Sequence, residues 1–190
     1  MIAGIVLAAG GGRRFGSRKQ LADLHGRPML EHVLRAMAAA PLDRVFAVLG
    51  ADAGEVCRRV DMHGAEPVFC DRWEAGLSAS LRAGIDAGAD ADADAVLIVL
   101  GDQPLISADA VSRVVAVRGD AAAVRATYGG TSGHPVLLER ELFIRAREIQ
   151  GDTGACALLA AVPVREVACD CLGSPNDVDT PAQLARIPRG

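Results

Sequence analysis

The sequence predicts an α/β fold in three layers, with a mostly parallel central sheet and helices on both faces. Three observations predict it. Short apolar runs alternate with amphipathic stretches along the chain. The first run, residues 2–8, is continuously apolar, as a strand covered on both faces is. The length, 190 residues with 51% hydrophobic and 23% charged, suits one domain of about 100–200 residues whose core needs no disulfide or metal staple. Residues 1–190 are therefore read as a single domain.

The elements follow in order. Residues 2–8 are the first strand, ended by Gly10-Gly11-Gly12. Residues 29–40 form a helix with Leu30, Val33, Leu34 and Met37 on one face, stopped by Pro41. Residues 44–49 are a second strand closed by Gly50, and 53–60 a helix. Residues 66–70 form a short strand that Pro67 pushes to a sheet edge. A helix over 77–87 precedes the Asp/Ala-rich stretch 86–94, read as a solvated loop. A calcium loop would also need its turn glycine and a distal glutamate at fixed spacing, and both are missing. Residues 95–100 are the strongest strand, ended by Gly101. Ser107 is a natural N-cap for a helix running to about Val117. Residues 121–127 and 135–138 are strands separated by a turn or loop at 128–133. Helices at 142–149 and 155–161, a strand at 164–167 and a last helix from Pro181 to 187 complete the chain.

Composition removes several function classes. The early apolar stretch is far shorter than the ~18–20 residues a membrane span needs, and Arg13-Arg14 follow it rather than precede it, unlike a signal peptide. A formal net charge of −4 and 3% aromatic residues suit neither non-specific nucleic-acid binding nor base-stacking platforms. The five cysteines, Cys57, Cys70, Cys156, Cys169 and Cys171, are odd in number and include no Cys-x-x-Cys pair. That argues against a disulfide framework or zinc knuckle and for a reducing, cytoplasmic setting. Cys169 and Cys171 read as ordinary thiols near a strand end.

The most informative segment runs from Leu7 through Ala8, Ala9, Gly10, Gly11, Gly12, Arg13, Arg14, Phe15, Gly16, Ser17 and Arg18 to Lys19. Glycines let backbone N–H groups approach an anion closely, and Arg14 and Lys19 add charge suited to a triphosphate. A Walker A loop would need Gly-Lys-Ser/Thr, which is absent. A dinucleotide fingerprint would need a glycine where Phe15 stands and an acidic residue ~20 positions on; Asp52 comes much later. The alternative is a glycine-rich turn without a ligand, which two basic residues among so many glycines argue against.

This segment resembles L-A-A-G-x-G-x-R-x-G-x-x-K, the signature loop of the MobA-like nucleotidyltransferases, and within them the molybdenum cofactor cytidylyltransferases. Further motifs fall in the expected order: Trp73 to Gly84 resembles W-x-x-G-x-x-x-S-L-x-x-G, and Leu100 to Pro104 resembles L-G-D-Q-P. Gly133 to Val136 resembles G-x-P-V, Gly151 to Ala155 resembles G-D-x-G-A, and Asp177 to Pro181 resembles D-I-D-T-P. The resemblance implies a Rossmann-like nucleotidyltransferase fold and transfer of CMP from CTP to a molybdopterin-type cofactor, with release of pyrophosphate. It also implies Mg²⁺ and a molybdoenzyme partner, with no role for nucleic acid or membrane.

What the resemblance implies for individual residues follows. Arg14 and Lys19 would bind the triphosphate and, with Asp102, carry catalysis; Asp102 and Asp179 would hold the metal, with Asp177 a weaker third candidate. Asp102 also stands just past the strongest strand, where open α/β sheets bind ligands. Asp179 could instead cap the last helix, a role Thr180 could take. Leu7, Ala8, Ala9, Gly10, Gly12, Gly76 and Ser80 would bind the nucleotide, and the Ala-Ala-Gly wording resembles the cytidylyl branch. His134 and Asp152 would lie toward the acceptor. Trp73 reads equally as core or ligand contact, and Arg13 and Arg18 as a solvated basic face. The chain departs from the family at Cys156, where arginine is usual; a thiol does not bind phosphate as arginine does. The alternatives are another NTP, another phosphorylated acceptor such as a sugar or polyol phosphate, a non-catalytic cofactor-delivery protein, or a dinucleotide-binding oxidoreductase.

Overall fold

The computed structural model describes residues 1–12, 15–16, 18–119, 121–151 and 155–188, with 156 and 157 described by backbone alone. In chain order the elements are β1 (Ile2–Ala8), β2 (Asp23–Leu24), β3 (Arg27–Pro28), α1 (Met29–Ala38), β4 (Arg44–Leu49), α2 (Ala53–Arg59), β5 (Glu66–Phe69) and α3 (Leu77–Asp90). Then come β6 (Ala95–Leu100), α4 (Ala108–Ala116), β7 (Ala123–Tyr128), β8 (Thr131–Glu139), α5 (Phe143–Arg147), α6 (Ala155–Leu159), β9 (Val164–Ala168) and α7 (Pro181–Leu184). Seven strands make one sheet in the order β5-β4-β1-β6-β8-β7-β9, and β2 and β3 form a separate two-stranded hairpin. In the large sheet only β8 runs antiparallel to its neighbours; the remaining pairings are parallel. β5 takes an edge, as Pro67 requires.

Strand side chains alternate between faces, and this divides the core in two. From β1 and β4, Val6, Ala47 and Leu49 face Leu30, Leu34 and Met37 of α1 and Val111 and Val114 of α4. Ile5, Leu7 and Val48 face the other way, toward Leu81 and Ile85 of α3 and Phe143 of α5. That double covering is why the strands read as unbroken apolar runs.

Three expectations need correction. α3 continues through the alanines to Asp90, past the predicted end at 87. Alanine is the best helix former, and Gly88 lets the helix lie against Val96, where a Cβ would come within 2.8 Å of Cγ1. The predicted loop is thus mostly helix, and Asp92 (φ 59°) makes the turn. The turn expected within 128–133 is a tight one, with Gly129 and Gly130 at φ 57° and 77° as suits a two-residue turn, and β8 begins at Thr131, ahead of the predicted start at 135. The predicted helix 142–149 is a 3-10 turn, Arg140–Leu142, followed by the short α5. Ser107 caps α4 as expected, its hydroxyl accepting from Ala110 N at 3.1 Å. Among the described residues no helix is long and apolar enough to cross a membrane.

The α3–sheet contact rests on Gly84. A Cβ there would come 2.5 Å from Ile5 Cγ2 and 3.1 Å from Val48 Cγ2. Both neighbours are β-branched and fully buried, so neither swings aside without moving its strand. Gly84→Val should therefore cost about 1–3 kcal/mol from overpacking, seen as a lowered Tm on thermal unfolding. A Tm at or above wild type would show that the layers part easily.

Candidate active site

Parallel pairing sets β1 beside β6 with Leu7 opposite Leu100, so the loop after β1 and the turn after β6 leave the sheet side by side. Gly101 N donates to Leu7 O at 2.8 Å, and a Cβ on Gly101 would press on Ala8 at 2.8 Å. The glycine-rich loop and Asp102 are thus neighbours because of strand register.

Side chains hold the loop where no ladder does. Gln20, buried to 7% exposure, donates through Nε2 to Ala8 O at 2.9 Å and Gly10 O at 2.6 Å. A trans peptide sets N–H and C=O in opposite directions, so the N–H groups of Ala9 and Gly11 point away from Gln20. Trp73 closes the other side: a Cβ on Gly11 would come 3.2 Å from its ring, and one on Gly50 would come 2.6 Å from the Trp73 side chain and 2.7 Å from Ala9 O. The tryptophan is therefore packing and cavity wall at once. Arg18 does not simply face solvent; it pairs with Asp52 at 3.0 Å and Glu55 at 3.4 Å at the start of α2.

Lys19 occupies the centre. Its Nζ donates to Asp102 Oδ2 at 2.7 Å and to Asp179 Oδ1 at 2.8 Å, on a residue only 8% exposed. Burial works against its charge, but the hydrogen bonds and charges of Asp102 and Asp179 outweigh it and raise the Lys19 pKa above the ordinary lysine value. Asp179 is not spent on capping α7. Thr180 does that, its hydroxyl accepting from Gln183 N at 3.2 Å.

Two cavities meet here. One, of about 550 Å³, is lined by Leu7, Ala8, Gly10, Gly12, Lys19, Asp102 and Asp179, together with Gln20 and Gly101. The other, of about 380 Å³, is lined by Leu7, Ala9, Gly10, Gly76, Ser80 and Asp102, together with Trp73 and Glu74. The structure thus brings together most of the expected site residues. Arg14 and Asp152 lie outside the described residues. His134 lines neither cavity; its carbonyl accepts from Tyr128 Oη at 2.9 Å, and the residue is half-buried. Sequence reading missed Gln20, whose only local signal is its place after Lys19.

The residues present fit a divalent cation supplied with its own oxygen ligands. Asp102 Oδ1 is buried without a hydrogen-bond partner among the described residues, and carboxylate oxygens suit hard cations. Among the described residues no group of three or more His, Cys, Asp or Glu side chains is arranged to hold a metal. One or two carboxylates are the usual protein contribution where substrate phosphates complete the coordination of Mg²⁺. Cys169 is buried and Cys171 exposed just beyond β9, as expected of ordinary thiols.

Burial lowers the His134 pKa from 6.5 to about 4, against the smaller opposing pull of Asp102. The native chain refuses a proton that the unfolded chain accepts. Its stabilising contribution is present above pH 6.5 and is lost as pH falls toward 4. The loss amounts to about 3 kcal/mol across that window. Urea unfolding of wild type and His134→Gln between those limits checks this; equal pH slopes would refute it.

The family model for the MobA-like NTP transferase domain matches residues 4–167. Over nearly the full length, the chain is 31% identical to nicotine blue oxidoreductase of Paenarthrobacter nicotinovorans, covering 98% of this chain and 96% of that protein. It is 35% identical over 112 residues to 3-deoxy-manno-octulosonate cytidylyltransferase of Brucella ovis, covering 58% of this chain and 44% of that enzyme. In structure it is similar to Rv0371c of Mycobacterium tuberculosis H37Rv in complex with manganese, with a TM-score of 0.83, 30% identity, and coverage of 97% and 96% of the two chains. With its family model matching from within β1 into β9, the chain belongs to the MobA-like NTP transferase domain family.

Proposed function

We propose that residues 1–190 act as one cytoplasmic nucleotidyltransferase domain that transfers CMP from CTP to a molybdopterin-type cofactor and releases pyrophosphate. The observation that carries the reading is the Lys19 ammonium between Asp102 and Asp179, at the junction of two cavities. The glycine-loop cavity suits a triphosphate, because backbone N–H groups and a lysine face it. The cavity walled by Trp73, Gly76 and Ser80 suits a base. Cytosine is favoured by the Ala8-Ala9-Gly10 wording and by the likeness to a cytidylyltransferase.

In the reaction an anionic phosphate oxygen of the acceptor attacks the α-phosphorus in line, and the bond from that phosphorus to the β-phosphate oxygen breaks. The attacking oxygen carries no proton, so no general base is needed. Lys19, joined by Arg14, neutralises charge that builds on the α-phosphate and the departing pyrophosphate. The loop amides hold the triphosphate, which turns a bimolecular encounter into an aligned one. Asp102 and Asp179 would hold Mg²⁺, which supplies Lewis-acid polarisation of the phosphate oxygens when bound; the manganese complex of a relative supports a divalent ion. His134 and Asp152 would contact the acceptor in this reading. A molybdoenzyme is the partner that would receive the product.

One competing reading has a specific observation behind it. The nearly full-length likeness to a nicotine blue oxidoreductase favours the dinucleotide-binding oxidoreductase. NADH titration separates the two: unchanged nicotinamide fluorescence removes that reading. Delivery of cofactor without turnover is separated by Asp102→Ala, which would leave partner activation intact in a carrier.

The direct test is pyrophosphate release with Mg²⁺ from CTP, GTP, ATP and UTP in parallel, with and without molybdopterin cofactor. Cofactor-dependent release from CTP alone is expected. Release from another NTP, or only with a sugar or polyol phosphate, would overturn the substrate assignment. Lys19→Met should lower kcat by about 10²–10³-fold. Asp102→Asn should do at least as much, with each variant's circular dichroism unchanged. Wild-type rates in either variant would remove that residue from the chemistry.

A further inference from the structure

We propose that Gln103 is a positioning residue whose side-chain amide sets the C-terminal segment so that Asp179 faces Asp102. The inference rests on the reading of Asp102 and Asp179 given above as metal carboxylates. Residues 174–179 belong to no strand or helix, so no ladder fixes them. Asp179 N donates to Gln183 Oε1 in α7 at 2.8 Å, and the rest of the segment is held by a small set of hydrogen bonds from the turn after β6. Gln103 Nε2 donates to Pro175 O at 2.7 Å and to Asp177 Oδ1 at 2.7 Å. Val178 N donates to Asp102 O at 2.9 Å, and Ser174 N to Leu105 O at 3.2 Å. The Val178 side chain is buried with Phe15, Leu24 and Met29 beneath the glycine loop. Asp179 is the next residue, and its Oδ1 reaches the ammonium that Asp102 also holds.

The glutamine is specified by geometry more than by stability. Gln103 is 3% exposed, and both amide hydrogens go to oxygens. A flipped amide would turn its own oxygen against those two acceptors, so the orientation is determined. The Oε1 atom is left buried without a partner among the described residues. That unpaired acceptor offsets much of what the two donated bonds contribute. An apolar side chain of similar shape would fold nearly as well but would not hold the 175–177 segment. Asp177 is then the acceptor that Gln103 needs, rather than a third metal ligand.

The test measures Mn²⁺ binding to the full chain with CTP and no acceptor, by loss of the free-ion electron paramagnetic resonance signal, alongside kcat, KM for CTP and Tm. Gln103→Met should keep a near wild-type Tm, lose about tenfold in Mn²⁺ affinity, and lose kcat with little change in KM for CTP. Asp177→Asn, which exchanges a charged acceptor for a neutral one but keeps an oxygen for Gln103, should stay within about threefold of wild type. Should Gln103→Met not fold, Asp177→Ala takes its place and should lower Mn²⁺ affinity in the same direction by a smaller factor. Wild-type Mn²⁺ affinity and kcat in Gln103→Met, with both lost in Asp102→Asn, would overturn the positioning role and leave the metal carboxylates standing. Loss in Asp177→Asn as large as in Asp102→Asn would make Asp177 a ligand and overturn it as well. Unchanged Mn²⁺ affinity in Asp102→Asn would overturn the underlying reading, and this proposal with it.

Discussion

The Lys19 ammonium is the constraint on which the site depends. An ammonium at 8% exposure is costly unless it is paired, and its two partners lie 83 and 160 residues along the chain. Three segments must therefore arrive together: the loop after β1, the turn after β6 and the segment before α7. The carboxylates need the lysine in return, because two of them converging with no cation between them would repel. Site and tertiary structure are in this respect one electrostatic arrangement.

Around that centre the sheet supplies direction and side-chain amides supply the fine placement. Register puts Leu7 opposite Leu100, which settles where the loop and the turn leave the sheet. Beyond the strand ends, Gln20 turns two loop carbonyls inward, and Gln103 ties down a segment with no regular structure. A loop held this way keeps its outward N–H groups available to a ligand, whereas a ladder would consume them. Trp73, packed on Gly11 and Gly50, stiffens the same loop from the side of the second cavity.

The division of the site into two cavities that share Leu7, Gly10, Leu77 and Asp102 gives Asp102 a particular place. A nucleotide laid across both would carry its base in one and its outer phosphates in the other, with the α-phosphate near the shared carboxylate. Family membership accounts for the frame.

Much of this was legible in the residues themselves. Apolar runs over β1, β4 and β6 announced buried strands, because a strand covered on both faces has no polar side to show. Pro67 announced an edge, and Ser107 and Thr180 announced helix starts through local hydrogen-bond chemistry. The glycine loop leading to Lys19, and Asp102 after the strongest strand, marked the candidate site, since the glycines and Asp102 follow directly on strand ends. The sequence did not announce that α3 would run on to Asp90, that Gly129 and Gly130 would close a hairpin, or that Gln20 and Gln103 would serve as struts. Nor did it announce that Lys19 would meet both carboxylates, or that His134 would sit half-buried within reach of the Asp102 charge. Each of these depends on which distant atoms a side chain meets. Periodicity and capping are local and can be read from neighbours in the chain, whereas pairing and burial across tens of residues were decided only by the packed tertiary structure.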